Sequence, residues 1–232
     1  MNFHKGKFMY FFLIFILGFL MPIKVFSSST FSNQLVYRLR DPQTSPKEFR
    51  ETLVELGQFL AGNILEELPL VKKEIITLTG AKASHEILDE DLALVTILRA
   101  GLPLNEGVMK VFPHAEVGFI GMSRVEKTLT AKTEYIALPD LQDKIVILSD
   151  TMLATGGSMI EAIEIVKRYH PKKIVLVIGI ASQKGMDRIV KYDPSITIKC
   201  AMIDPLLNDQ GYIVPGLGDA GNRCYGVKIQ DE

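Results

Sequence analysis

The strongest constraint on this chain lies in residues 146–158, Val146-Ile147-Leu148-Ser149-Asp150-Thr151-Met152-Leu153-Ala154-Thr155-Gly156-Gly157-Ser158. A short apolar run ends in an acid, then passes through hydroxyls and paired glycines into a helical pattern over residues 158–169. Such a run reads as a strand buried on both faces, which is the state of strands in parallel sheets covered by helices. An aspartate at the carboxyl end of a parallel strand can accept hydrogen bonds from sugar hydroxyls. The turn Thr155-Gly156-Gly157-Ser158 can wrap a phosphate with backbone N–H groups at the positive end of the following helix. A plain tight turn, with Ser158 capping the helix, is the other reading of these residues. No GxxxxGK followed by Ser or Thr is present, so this is not a loop that cradles the β and γ phosphates of ATP.

The rest of the chain extends the same architecture. Apolar runs at residues 92–98, 117–120, 145–148, 174–180 and 196–203 alternate with helical patterns at 104–111, 158–169 and 185–192, which predicts an α/β fold with a parallel sheet flanked by helices. Ser45-Pro46-Lys47-Glu48 is a capping box with proline at the first helical position, ahead of an amphipathic helix carrying Phe49, Leu53, Leu56, Leu60 and Leu65. Residues 121–143 are polar, with Thr128, Thr130 and Thr133 in alternation, which predicts an extended hairpin forming a protruding arm. A length of 232 residues lies within the range of one α/β domain, expected over residues 34–232.

Charge and ligand chemistry exclude other classes. The formal net charge is −1 and no basic cluster is interleaved with aromatics, so no nucleic-acid partner is implied. Cys200 and Cys224 have no metal-ligand spacing, and His4, His85, His114 and His170 form no HxxxH pair, which argues against zinc. Two unpaired thiols are expected.

Residues 1–29 are of another kind. Residues 8–23, FMYFFLIFILGFLMPI, carry no charge; Lys5 and Lys7 precede them, and Lys24 and the serines 27–29 follow. The run is shorter than the roughly 20 residues that span a hydrocarbon core, so a secretory signal peptide is the first reading, with an uncleaved membrane anchor and a misassigned start codon as the others.

Three further segments carry chemistry. Thr96-Ile97-Leu98-Arg99-Ala100-Gly101-Leu102 ends a strand in a guanidinium and a glycine turn, a combination suited to an anion with several oxygens. Gly121-Met122-Ser123-Arg124-Val125-Glu126 places a second arginine at the base of the arm. Gly211-Tyr212-Ile213-Val214-Pro215-Gly216-Leu217-Gly218-Asp219-Ala220-Gly221 contains a formal GxGxxG, but only 11 residues follow it, too few for a dinucleotide-binding βαβ unit.

Together these motifs resemble the uracil-specific branch of the type I phosphoribosyltransferases, and the resemblance extends to Leu39-Arg40 and Phe49-Arg50. It implies a parallel sheet with a β-arm and a small C-terminal base-binding hood. The implied reaction transfers the phosphoribosyl group of 5-phosphoribosyl 1-diphosphate (PRPP) to uracil, giving UMP and diphosphate. By the resemblance, PRPP is held by Arg99, Ala100, Gly101, Arg124, Asp150 to Ser158 (with Met152, Leu153 and Ala154 in the loop) and Asp219. Uracil is read by Tyr212, Ile213, Gly218, Asp219 and Ala220, and the Ile213 carbonyl and the Gly218 and Ala220 N–H groups face the base. The implied catalytic set is Arg99, Arg124, Asp150 and Asp219.

Mg²⁺ is the implied cofactor, held mainly by substrate and water, with Asp219 reaching it through water. A homodimer or higher homo-oligomer using the 121–143 arm is implied too, as is GTP control in parts of the family, for which no motif here speaks. Thr151 and Ser123 depart from the family pattern, which has a second acid or a proline at the first position and an aromatic at the second. They keep open a non-catalytic regulatory protein of the same fold, and a transferase for another base is the remaining alternative. PRPP and uracil salvage belong to the cytosol, whereas residues 1–29 point to export or anchoring.

Overall fold

A computed structural model describes residues 29–89, 91–125 and 130–228. The apolar run 8–23 lies outside the described residues. Helix α1 spans Thr30–Arg40, capped by Ser29. Helix α2 spans Pro46–Leu65 and opens with the expected capping box, in which the Ser45 hydroxyl accepts from the Glu48 N–H and the Glu48 carboxylate accepts from the Ser45 N–H. Strands β1 (Leu70–Ile76) and β2 (Lys82–Leu88) then pair antiparallel as a separate ribbon. That ribbon was not legible in the sequence because neither face is buried, so no alternation of apolar and polar residues marks it.

The central sheet is built from β3 (Leu92–Leu98), β4 (Glu116–Val125), β5 (Thr130–Ala137), β6 (Ile145–Leu153), β7 (Lys173–Ser182) and β8 (Thr197–Asp204), in the order β5-β4-β3-β6-β7-β8. Strands β4, β3, β6, β7 and β8 run parallel, as expected. The edge strand β5 is antiparallel to β4, so the sheet is mixed rather than wholly parallel, and the expected hairpin at 121–143 forms its edge with a bulge between Gly121 and Met122. Helices α3 (Leu102–Val111), α4 (Gly157–Lys167) and α5 (Gln183–Tyr192) supply the crossovers. The two-residue strands β9 (Leu206–Leu207) and β10 (Ile213–Val214) pair beside the sheet, followed by the short helix α6 (Ala220–Tyr225).

Alternation along the buried strands divides the core in two. Leu92, Leu94, Ile147, Val175 and Val177 pack with Leu35 and Leu39 of α1, Leu53 and Leu56 of α2 and Leu104 and Val108 of α3. Ala93, Val95, Val146, Leu148, Leu176 and Ile178 pack with Met159, Ile163 and Val166 of α4 and Met186 and Ile189 of α5. Cys200 in β8 and Cys224 in α6 are buried free thiols. Among the described residues, no helix is long and apolar enough to cross a membrane.

Helices α2 and α3 touch through glycines. A Cβ on Gly107 would stand 2.0 Å from the Val54 carbonyl oxygen, and one on Gly57 would stand 2.0 Å from the Leu104 carbonyl oxygen. Gly107→Ala is therefore expected to lower stability by about 1–3 kcal/mol by forcing the helices apart. Thermal unfolding followed by circular dichroism checks this, and an unchanged midpoint would show that the helices do not approach so closely.

Candidate active site

The sheet opens where its connections diverge. From β3 the chain crosses to β4 on one side, and from the adjacent β6 to β7 on the other, so the loops leaving β3 and β6 part company at their carboxyl ends. Ligand crevices of open α/β sheets form at such a switch point. Register sharpens this picture: β3 pairs with β6 only as far as Thr96 opposite Ser149, while β6 continues beside β7 through Asp150, Met152 and Leu153. Asp150 is thus inside the last residues of the strand, beyond the point where β3 leaves it.

The β6 side of the crevice holds the phosphate-loop residues. Thr155, Gly156, Gly157 and Ser158 follow Met152, Leu153 and Ala154 in one turn, and Gly156, not Ser158, is the N-cap of α4. Gly156 has a φ of 80°, which favours glycine, and no side chain caps the helix. The first N–H groups of α4 therefore lack a side-chain acceptor and can meet an anion. Two neighbours brace the loop, one from the end of β7 and one from α5: the Ser182 hydroxyl donates to the Ala154 carbonyl at 2.6 Å, and Arg188 donates to the Thr155 carbonyl at 3.0 Å.

Asp150 is half-buried, and its Oδ1 accepts the Thr151 N–H at 2.7 Å. Desolvation pushes its pKa up to about 7, against the lowering effect of the N–H bonds from Thr151 and Met152. An unfolded aspartate titrates near ~3.9, so between that pH and 7 the folded chain holds a proton the unfolded chain has lost. Stability should therefore fall as pH rises across that window and level off above it. Urea unfolding of the protein and of Asp150→Asn from pH 5 to 8 tests this; the variant is expected to lose less stability with rising pH, and an identical slope would contradict the assignment.

Thr151 turns away from the crevice. It is fully buried, and its hydroxyl donates to the Ala100 carbonyl at 2.7 Å, tying the β6 loop to the β3 loop. The departure from the family pattern at this position therefore supplies a brace between the two loops. Gly101 closes the same junction, since a Cβ there would meet Thr96 Oγ1 at 2.5 Å and the Ile97 carbonyl at 2.7 Å.

Arg99 follows β3, and the peptide bond before it is cis. Its Nη2 donates to Asn222 Oδ1 at 3.4 Å, and its guanidinium lies 6.0 Å from the centre of the Tyr225 ring. Nε of Arg99 is buried without a hydrogen-bond partner among the described residues. Buried donors are nearly always paired, so an unpaired one in a crevice suits an incoming acceptor. Arg124 lies in β4, opposite Ala131 and three residues past Gly121, which is the register partner of Leu98, so its backbone stands beyond the end of β3.

The C-terminal residues reach the β3 loop through α6. Asp219 is the N-cap of α6 and accepts the Asn222 N–H at 2.8 Å. A Cβ on Gly221 would lie 3.3 Å from Asp219 Oδ1 and 3.7 Å from Arg99 Nη2, which places both side chains around that glycine. Ile213 is buried in β10, Tyr212 is exposed, and the turn between β9 and β10 is closed by the Asn208 N–H on the Tyr212 carbonyl at 2.9 Å. Gly216 and Gly218 both have positive φ, 59° and 81°, and Ala220 begins α6.

Among the described residues no group of three His, Cys, Asp or Glu side chains forms a metal cage. Asp150 and Asp219 are the carboxylates here, a set that fits a hard cation arriving with a polyphosphate and keeping most of its water.

Reading the sequence did not single out Asp204, Arg223, Asn222 or Arg188. Arg223 donates to the carbonyls of Leu39, Asp41 and Leu217 and lies 4.2 Å from the Phe49 ring centre, while Arg50 donates to the Cys224 carbonyl at 2.6 Å. The early Leu39-Arg40 and Phe49-Arg50 positions were the available signal.

The profile of the family described as uracil phosphoribosyltransferase matches residues 27–227. A uracil phosphoribosyltransferase of Geobacillus sp. (strain WCH70) is 41% identical over 207 residues, covering 89% of this chain and 99% of that protein. One from Aquifex aeolicus is 41% identical over 192 residues, covering 83% and 91%. Among solved structures, that of a protein from Aquifex aeolicus superposes with a TM-score of 0.82 at 39% identity, covering 88% of this chain and 98% of the other.

Proposed function

The chain belongs to the uracil phosphoribosyltransferase family, and from that membership we propose that the crevice between β3 and β6 transfers the phosphoribosyl group of PRPP to uracil, giving UMP and diphosphate. The single observation that carries the placement is that the loops after β3 and β6 and the 213–222 segment meet at one end of the sheet, joined by Thr151 to Ala100 and by Arg99 to Asn222.

The roles follow from chemistry. The N–H groups and hydroxyls of residues 155–158 hold the 5-phosphate at the start of α4. Asp150, when ionised, accepts from the ribose hydroxyls. Arg99 and Arg124 face the diphosphate, whose negative charge grows as the bond to ribose C1 breaks. A ring nitrogen of uracil attacks C1 as that bond opens, so no covalent enzyme intermediate is needed, and the residues act by positioning and charge. Uracil presents alternating C=O and N–H groups, matched by the Ile213 carbonyl and the Gly218 and Ala220 N–H groups, with Tyr212 alongside. Mg²⁺ would neutralise part of the diphosphate charge, with Asp219 placed to reach it through water.

We propose a transferase domain over residues 34–232 preceded by a leader at residues 1–29, with Ser29 and the first turn of α1, from Thr30, lying at their junction. The family match over residues 27–227 and the Geobacillus relative, covered to 99% by 89% of this chain, support one transferase unit following the apolar run 8–23. Self-association is supported by the β1–β2 ribbon, which exposes Leu70, Val71, Ile75, Ile76 and Ile87 although a two-stranded hairpin alone is marginal in water.

The experiment is nucleotide formation from PRPP and Mg²⁺ with uracil, cytosine, orotate or hypoxanthine. Only uracil is expected to yield a nucleotide, because cytosine puts an amino donor where the backbone N–H groups need an acceptor. A nucleotide from another base, with none from uracil, would move the assignment to that base.

A further inference from the structure

We propose that the partly buried Arg40–Asp204 ion pair is the positioning device of the base-reading loop, fixing the Ile213 carbonyl that faces uracil; this rests on the function proposed above. Asp204 ends β8 and is 4% exposed, a burial that carboxylates tolerate only when paired. Both of its oxygens are used. Oδ1 accepts from Arg40 Nη2 at 2.6 Å, and Oδ2 accepts the Gly216 N–H at 2.9 Å.

Gly216 is where that bond matters. It has a φ of 59°, and a Cβ on it would stand 2.1 Å from the Ile213 carbonyl oxygen, so the Gly216 backbone lies against that carbonyl. Ladder pairing on this side of the loop is limited to Ile213 and Val214, so two residues of strand cannot hold it alone. Asp204 fixes the backbone from the sheet side, and Arg40 holds the Asp204 carboxylate aimed at Gly216.

Arg40 is the last residue of α1, the first helix among the described residues. Arg223 binds the same end of α1 through the Leu39 and Asp41 carbonyls while donating to the Leu217 carbonyl in the loop at 3.0 Å. The end of α1 therefore serves as the platform on which the base-reading loop is mounted. Both Asp204 oxygens are occupied by Arg40 and Gly216, so the pair acts through Gly216 and Ile213.

The test uses the full chain with Asp204→Asn, which keeps side-chain shape but presents an amide donor in place of one carboxylate oxygen, and with Arg40→Lys, which keeps charge but loses the fork. Asp204→Asn is expected to raise KM for uracil by roughly tenfold to a hundredfold, the range for losing a hydrogen bond to a charged group. KM for PRPP should stay where it was, and Arg40→Lys should fall between Asp204→Asn and the parent. Hydrogen exchange gives a readout free of turnover: the Gly216 amide should lose protection in Asp204→Asn while the β7 amides keep theirs. Equal rises in both KM values alongside general loss of protection would reduce the pair to a structural one, and an unchanged KM for uracil would overturn the proposal. If the parent protein formed no UMP, the function would fall while protection at Gly216 still decided the clamp.

Discussion

Replacing Arg99 by alanine is expected to lower kcat/KM by roughly a hundredfold to a thousandfold, the usual cost of removing one preorganised donor from a developing negative charge. Thermal stability should barely change. The guanidinium has little to lose within the protein: one long bond to Asn222 at 3.4 Å, a distant approach to the Tyr225 ring at 6.0 Å, and an Nε without a partner among the described residues. Its charge, by contrast, has a large effect on a diphosphate that leaves carrying several negative charges. Arg99→Lys should recover only part of the rate, since an ammonium is a point charge without the planar fork that meets two oxygens at once. Steady-state kinetics with both substrates, beside a melting curve, separates these effects. Near-normal turnover in Arg99→Ala would remove Arg99 from the reaction.

Gly216→Ala is the second large effect and acts on the base side. A φ of 59° costs a residue bearing Cβ about 1–2 kcal/mol. The larger penalty is steric, because the new Cβ would sit 2.1 Å from the Ile213 carbonyl oxygen, far inside contact distance. Either that carbonyl turns away or the loop leaves Asp204, and in both cases the base loses its acceptor. Uracil turnover is expected to fall by at least about a hundredfold, a displacement of roughly 1 Å at a positioning group being enough for that. Binding of ribose 5-phosphate, whose proposed site is the β6 loop, should survive. Isothermal titration with ribose 5-phosphate and a rate assay with uracil make the comparison, and loss of both would mean that the substitution disrupts more than the loop.

How far the sequence reached can be argued from these same residues. The capping box at Ser45 and the strand at residues 92–98 were legible because their signals are local: a hydroxyl three residues before a glutamate, and an unbroken apolar run. The 146–158 segment was legible for the same reason, although β6 runs on to Leu153 and the cap falls on Gly156. Thr151 looked like a weakened acid pair, and only the fold shows its hydroxyl spent on Ala100. The Arg40–Asp204 pair joins positions 164 residues apart, a partnership that no periodicity encodes. Lys199 is similar: a lysine within an apolar strand is accommodated by Glu67 at 2.8 Å, from the segment just after α2. The β1–β2 ribbon left no pattern because neither of its faces packs into the core of the chain.

The most direct test of the central claim is a stoichiometric one. Supplying the full chain with labelled uracil, Mg²⁺ and PRPP and measuring UMP and diphosphate together should give one diphosphate for each UMP, with formation dependent on both substrates. Saturable binding of PRPP without UMP would contradict the claim and leave a non-catalytic, regulatory protein of the same fold.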